Sequence, residues 1–171
     1  MVRGDVFKEQ IVKRQSTPLT TLKKVGLVIA ALFIGMIGMA IGQAFGPFIL
    51  AAVVFAAWFG MSFLNVEYEY TFTAGELDID AIYNRSRRKR IFSARVNDFE
   101  IMAHVEDNRH TGAFHGAQVT KNYSSGVVGS NTYAFMLNHQ NKRTKIIIEP
   151  NDIMLKALAS VLTRRRLHIK L

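Results

Sequence analysis

The sequence has no cysteine, three prolines and one tryptophan. Without cysteine there is no disulfide to staple a small fold and no thiolate to hold a metal, and the chain fits a reducing compartment. The absence that says most is of charge. The 42 residues from Val25 to Val66 contain no Lys, Arg, Asp or Glu, so all 35 charges lie outside that stretch. A helix crossing a bilayer needs ~20 apolar residues, because the hydrocarbon core is about 30 Å thick. Forty-two residues, interrupted by Gly42-Gln43-Ala44-Phe45-Gly46-Pro47, make two spans, and Pro47 suits the first turn of the second.

The expected organisation is therefore an N-terminal segment over 1–17, a transmembrane hairpin over 18–64 with helices at about 18–44 and 47–64, and a domain over 65–171. Thr17 is the expected N-cap of the first helix. A cleaved signal peptide would need one apolar run of about 7–15 residues after a short basic start. Here the polar lead is 24 residues long and a second apolar run follows. A re-entrant hairpin stays open beside the spanning one, and both leave the termini on one side. Arg3, Lys8, Lys13, Arg14, Lys23 and Lys24 precede the first span, every other Lys and Arg follows the second, and the connecting loop has none. That asymmetry predicts a multi-pass protein of the cell membrane with both termini cytoplasmic.

Neither span carries an ionisable residue for a relay or an ion site, which argues against a transporter or channel. Both carry small residues at four-residue spacing: Ala31 and Gly35, then Gly38, Gly42 and Gly46, then Ala52, Ala56 and Gly60. Such rows let helices approach closely in lipid, either within the chain or in a homodimer. Trp58 and Phe59 suit an interfacial anchor. Within 5–14, Val6, Phe7 and Ile11 sit at helical spacing among charges. That segment reads as an amphipathic helix in the interface or as a solvated leader.

After Val66 the period becomes two. Val66, Tyr68, Tyr70 and Phe72 alternate with polar residues, Ala74-Gly75 makes a turn, and the chain returns over Glu76 to Tyr83. The implied cross-strand pairs Phe72–Leu77, Tyr70–Ile79 and Tyr68–Ala81 are all apolar. Further strands are expected at 89–96, 99–105, 117–123, 132–138 and 143–149, with loops at 106–116 and 124–131. Pro150-Asn151-Asp152 opens a last helix whose apolar stripe is Ile153, Ala157, Leu158, Val161 and Leu162. The fold class is α+β: a two-helix hairpin, then an antiparallel sandwich or barrel of about seven strands, then a C-terminal helix.

That layout resembles small bacterial two-span membrane proteins with a pleckstrin-homology-like (PH-like) C-terminal domain. The resemblance rests on Asp5-Val6-Phe7, on Glu9-Gln10-Ile11-Val12-Lys13-Arg14 and on Glu67-Tyr68-Glu69-Tyr70. Gly75-Glu76-Leu77-Asp78-Ile79-Asp80 and Ile148-Glu149-Pro150-Asn151 complete it. It implies the fold and brings no activity with it.

The densest charge run is Arg85, Arg87, Arg88, Lys89 and Arg90. Counting strands up and down from the membrane places this turn near the bilayer, together with Arg143 and with Arg164, Arg165 and Arg166. These nine residues are the expected lipid-facing set, and each can contribute about 1 kcal/mol against an anionic surface. The alternative is that they serve topology and solubility and balance Glu67, Glu69, Asp78 and Asp80, with Arg90 or Arg95 as partners. The domain is then a docking platform for a protein, through a strand edge or the loops at 106–116 and 124–131. The run lacks interleaved aromatics and is tethered to a membrane, so a nucleic acid is not expected. His104, His110 and His115 match no metal-ligand spacing. No nucleophile, phosphate loop or cofactor fingerprint appears, so neither an enzyme nor a cofactor is expected.

Overall fold

The computed structural model describes residues 7–162 and 167–168. They form two compact units, one from residues 16–66 with 83–87, the other from the described parts of 1–15, 67–82 and 88–171.

The first unit is the helical hairpin: α1 (Pro18–Ile41), a 3-10 turn at Gln43–Phe45, and α2 (Gly46–Ser62). Thr17 caps α1, its hydroxyl accepting from the Thr20 N–H at 3.3 Å. Helix α1 stops short of the expected 44 because Gln43 takes φ +43°, a left-handed value that a right-handed helix cannot continue. Helix α2 stops at Ser62, where the N–H groups of Phe63 and Leu64 turn to the i−3 carbonyls of Gly60 and Met61. Pro18–Ile41 and Gln43–Ser62, the latter taking in the 3-10 turn, are long and apolar enough to cross a membrane.

Small residues set the seam between the helices. A Cβ on Gly35 would run into Leu50 Cδ1, one on Gly38 would lie 2.5 Å from Ile49 Cγ2, and one on Gly46 3.0 Å from Met39 Cα. Ala31 and Gly35 are buried there. Ala52 and Ala56, expected in the same role, are exposed on α2, while Val53 and Ala57 are half-buried. The α2 seam is thus offset by one residue from its alanine row.

The second unit holds two sheets. β1 (Lys8–Lys13), β2 (Val66–Thr73), β3 (Glu76–Tyr83) and β4 (Arg87–Arg95) form one in the order β1-β2-β3-β4. β5 (Ile101–His104), β6 (Val119–Asn122), β7 (Tyr133–His139), β8 (Lys142–Ile148) and β9 (Leu167–His168) form the other in the order β6-β8-β7-β5-β9. Ala74 and Gly75, and again Gln140 and Asn141, all have positive φ, as a two-residue hairpin turn of the right twist requires.

Tyr70, Phe72, Leu77 and Ile79 from the first sheet are fully buried, as are Phe99, Phe135 and Ile146 around the second. Phe99 and Phe135 stack at 4.0 Å between centroids. The loop after β5 contains one helical turn, α3 (Thr111–Phe114), which seats Phe114 against Ala103, Ala134 and Met136.

α4 (Asp152–Val161) is capped by Asn151, whose side chain accepts from the Met154 N–H at 2.8 Å. Its buried stripe is Met154, Ala157 and Leu158, with Leu162 just beyond. Ile153, expected in the stripe, is 60% exposed. Removing the cap with Asn151→Ala is expected to cost about 1 kcal/mol, read as a lower midpoint in chemical denaturation.

Two expectations give way. The described residues hold nine strands, and β5–β9 and β6–β8 pair in parallel. More consequential is β1, which is neither an amphipathic helix nor a solvated leader. It pairs antiparallel with β2, Gln10 opposite Tyr70 and Val12 opposite Tyr68. Tertiary partners override the helical spacing. Val12 is buried, the Gln10 amide bonds the Glu149 carbonyl at 2.8 Å and the Asn151 N–H at 2.7 Å, and the Arg14 guanidinium donates to the Tyr68 hydroxyl. The helical hairpin is therefore an insertion between two neighbouring strands, and its two ends emerge on one side.

Candidate functional site

The helices meet the β3–β4 turn at the open end of the hairpin. Lys24 Nζ donates to Asn65 Oδ1 at 2.9 Å, which brings the start of α1 beside the end of α2. Asn65 also accepts at its carbonyl from the Asn84 N–H, 3.0 Å away. Asn84 and Arg85 have φ of +48° and +57°, and the Ser86 N–H closes the turn on the Tyr83 carbonyl at 3.1 Å. Asn tolerates that left-handed conformation readily; a long residue such as Arg adopts it at some cost.

Aromatic rings line this end. Phe59 and Phe63 meet edge to face at 5.0 Å, and Phe63 lies 6.5 Å from Tyr83. The Arg87 guanidinium sits over the Phe59 ring at 5.8 Å, a cation–π distance. Lys24, Arg85 and Arg87 thus lie where the apolar hairpin ends, beside Phe59, Phe63 and Tyr83, of which tyrosine is a residue type that favours a membrane interface.

The rest of the expected lipid-facing set is placed differently. Arg88 pairs with Glu69 at 2.8 Å, and Arg90 pairs with Asp78 at 3.0 Å and Asp80 at 3.1 Å. Arg143 pairs with Glu100 at 2.9 Å. Lys89 is exposed. Arg164, Arg165 and Arg166 lie outside the described residues.

The bacterial PH-like domain family (DUF6106) matches residues 4–167. The chain belongs to this family. No curated protein and no solved structure matches it. The match runs through β1 and the hairpin as well as the sandwich, so the unit of the DUF6106 family is larger than the sheets alone. A PH-like fold points to a non-enzymatic module, and the chemistry must be argued from the side chains present.

Several titratable groups in this PH-like domain form surface ion pairs. Asp107 is drawn down to about 2, chiefly by its hydrogen bond from Arg109. His104 bonds the Gly129 carbonyl at 3.1 Å and accepts from the Glu106 N–H. An open cleft of about 300 Å³ runs beside β1, lined by Gln10, Lys13, Ser125, Asn131, Glu149 and Asn151. Many of its polar groups bond one another, as when the Ser125 N–H donates to Glu149 Oε2 at 3.0 Å.

Glu69 is the exception. Expected on an exposed acidic face, it is 2% exposed. Burial first, then the Glu9 carboxyl beside it, push it up to about 7 against the pull of Arg88. The residues that sequence reasoning left out of any site are Asn65, Tyr83 and Glu9. Asn65 did carry a signal, as the polar residue closing the uncharged run. Glu9 carried none, because its neighbour in space is 60 residues away.

Proposed function

We propose that the protein is a membrane-anchored, non-enzymatic PH-like module that holds anionic lipid headgroups at the open end of its hairpin. Arg85 and Arg87 are the binding residues, with Lys24 tied to the same end through Asn65 and both termini in the cytoplasm. The single observation that carries this reading is the seat of Arg87 on Phe59. It fixes a cation at the level where α2 ends, the depth at which phosphate headgroups lie. Arg88, Arg90 and Arg143 are left out of the binding set because they belong to the other compact unit, where each holds a carboxylate.

The test uses the full-length protein in nanodiscs of mixed phosphatidylcholine and phosphatidylglycerol. Native mass spectrometry then reads the ratio of anionic to zwitterionic lipid retained. Each basic residue near an anionic surface contributes about 1 kcal/mol. The double variant Arg85→Gln with Arg87→Gln is thus expected to lower the preference roughly thirtyfold. High salt is expected to lower it in the wild type. An unchanged ratio in the double variant would overturn the reading and leave these residues as topology signals.

A second reading, a protein-docking platform, is favoured by Val127 and Val128, which are 50% and 53% exposed in the loop at 124–131. Cross-linking in native membranes that recovers one defined partner at this loop, and no lipid preference, would move the assignment there. The exposed Ala52 and Ala56 of α2 are where a second copy would pack.

A further inference from the structure

The carboxyl pair between β1 and β2 has no part in lipid binding and needs its own account. Glu69 lies within the first sheet, with β1 on one side and β3 on the other. One of its oxygens takes a hydrogen bond from Arg88 at 2.8 Å. The other, Oε2, is buried and meets no donor among the described residues. Ile11 stands directly opposite Glu69 in the register, and Glu9 is the diagonal neighbour on β1, its carboxyl within hydrogen-bonding reach of Glu69. Two carboxyl groups can hydrogen-bond only when one of them carries a proton. With no proton, the buried Glu69 carries a charge beside a like charge on the exposed Glu9, and Glu69 pays for ionising.

We infer that Glu9 and Glu69 share one proton that latches β1 onto β2, and that losing this proton loosens β1 from the sheet. The charged and titratable groups facing Glu69 are Glu9 from β1, Asp80 from β3 and Arg88 from β4. Two of the three repel its charge. Arg88 attracts it, but the Arg88 side chain is 59% exposed, so water weakens the attraction. The other fastenings of β1 are the backbone ladder to β2, the Gln10 amide, the Arg14–Tyr68 hydrogen bond and the Gln15 N–H on the Ser125 carbonyl. None of these changes charge near neutrality. Among the described residues, the proton is therefore the one adjustable fastening.

The direction follows from linkage. In the fold Glu69 ionises near 7, above its ordinary value of 4.5. Its protonated form is thus favoured by the folded sheet, and the stabilisation is complete below the ordinary value and lost as pH rises through about 7. Because residues 14–17 run from β1 directly into α1, loosening β1 frees one of the two connections between the sheet and the membrane hairpin.

The experiment is hydrogen exchange on the full chain in detergent micelles at pH 6 and pH 8. Rates are expressed as protection factors, so that the intrinsic pH dependence of exchange cancels. In the wild type, protection of the β1 amides is expected to fall roughly tenfold between the two, one proton lost over the unit above 7. The amides of β7 are expected to stay unchanged. In Glu69→Gln, whose amide can donate to Glu9 at any pH, the β1 fall should vanish. Equal β1 protection at both pH values in the wild type would overturn the latch, and so would a tenfold fall retained in Glu69→Gln. Should that variant lose β7 protection as well, Glu9→Gln decides. Glu9 is exposed, so its substitution spares the core, and the fall must shrink if the pair is the latch.

Discussion

Replacing Tyr70 with phenylalanine is expected to destabilise the domain by about 2 kcal/mol, and replacing it with alanine by about 4 kcal/mol. Tyr70 is on β2 with no exposed surface. Its hydroxyl donates to the Tyr123 carbonyl and accepts from the Glu149 N–H at 3.2 Å. Those two backbone groups follow β6 and β8, so one phenol ties the first sheet to two strand ends of the second. Burial pushes the phenol well above its ordinary range, so it stays a donor at any working pH. Phenylalanine keeps the ring and strands a buried N–H, which costs about 1–3 kcal/mol. Alanine also removes the ring and leaves a cavity. Near-UV circular dichroism during thermal unfolding reads both, with Tyr70→Phe lowering the midpoint by roughly 5–15 °C. Tyr83→Phe is the control, since Tyr83 is only half-buried and should shift stability by no more than about 0.5 kcal/mol. Equal midpoints for Tyr70→Phe and the control would show that the hydroxyl bridge contributes nothing.

The structure follows several local rules of the sequence. The uncharged run becomes α1 and α2, with Thr17 capping the first and Pro47 in the opening turn of the second. The alternation after Val66 becomes β2, and Tyr68, Tyr70 and Phe72 are all buried. Ala74-Gly75 turns it into β3, whose Leu77, Ile79 and Ala81 are buried in turn. Each of these features is decided by residues within about one element of each other.

What was not legible is decided at long range. In β1 the apolar residues Ile11 and Val12 are adjacent, so no alternation marks a strand. The segment extends because β2, Glu149 and Asn151 offer it partners 50 to 140 residues away. Glu69 looks like a surface carboxylate in its own strand, yet between β1 and β3 and paired with Arg88 it is buried. The basic run shows the same division. Its composition suggested one lipid-facing patch, but strand pairing sorts it. Arg88 and Arg90 go to carboxylates, and Arg87 goes to the aromatic end of the hairpin. Charge count along a chain reports how much charge there is, and pairing decides what it does.

The hairpin is expected to be sensitive at Gly46, as at Gly42, because a Cβ at either meets backbone, whereas the shorter approaches at Gly35 and Gly38 are to side chains. A Cβ on Gly35 meets Leu50 Cδ1, the end of a side chain that can rotate aside. On Gly38 it meets the Ile49 side chain, which is stiffer but still free to adjust by a rotamer. On Gly46 it meets the Met39 backbone, Cα at 3.0 Å and O at 3.1 Å, and no rotamer relieves that contact. Gly46→Val must therefore push the helices apart where they turn. Overpacking of this kind costs about 1–3 kcal/mol, drawn from a seam held mainly by close packing. With no native cysteine, the effect can be read without background by pairing Leu27→Cys with Gly60→Cys. Those positions face each other, a Cβ on Gly60 lying 3.4 Å from Leu27 Cδ2. Oxidative cross-linking in membranes should be efficient in the parent and fall at least severalfold with Gly46→Val. Gly35→Ala should change it little, because Leu50 can yield. If Gly46→Val cross-links as well as the parent, the helices do not meet through this turn, and the seam must lie elsewhere on α1 and α2.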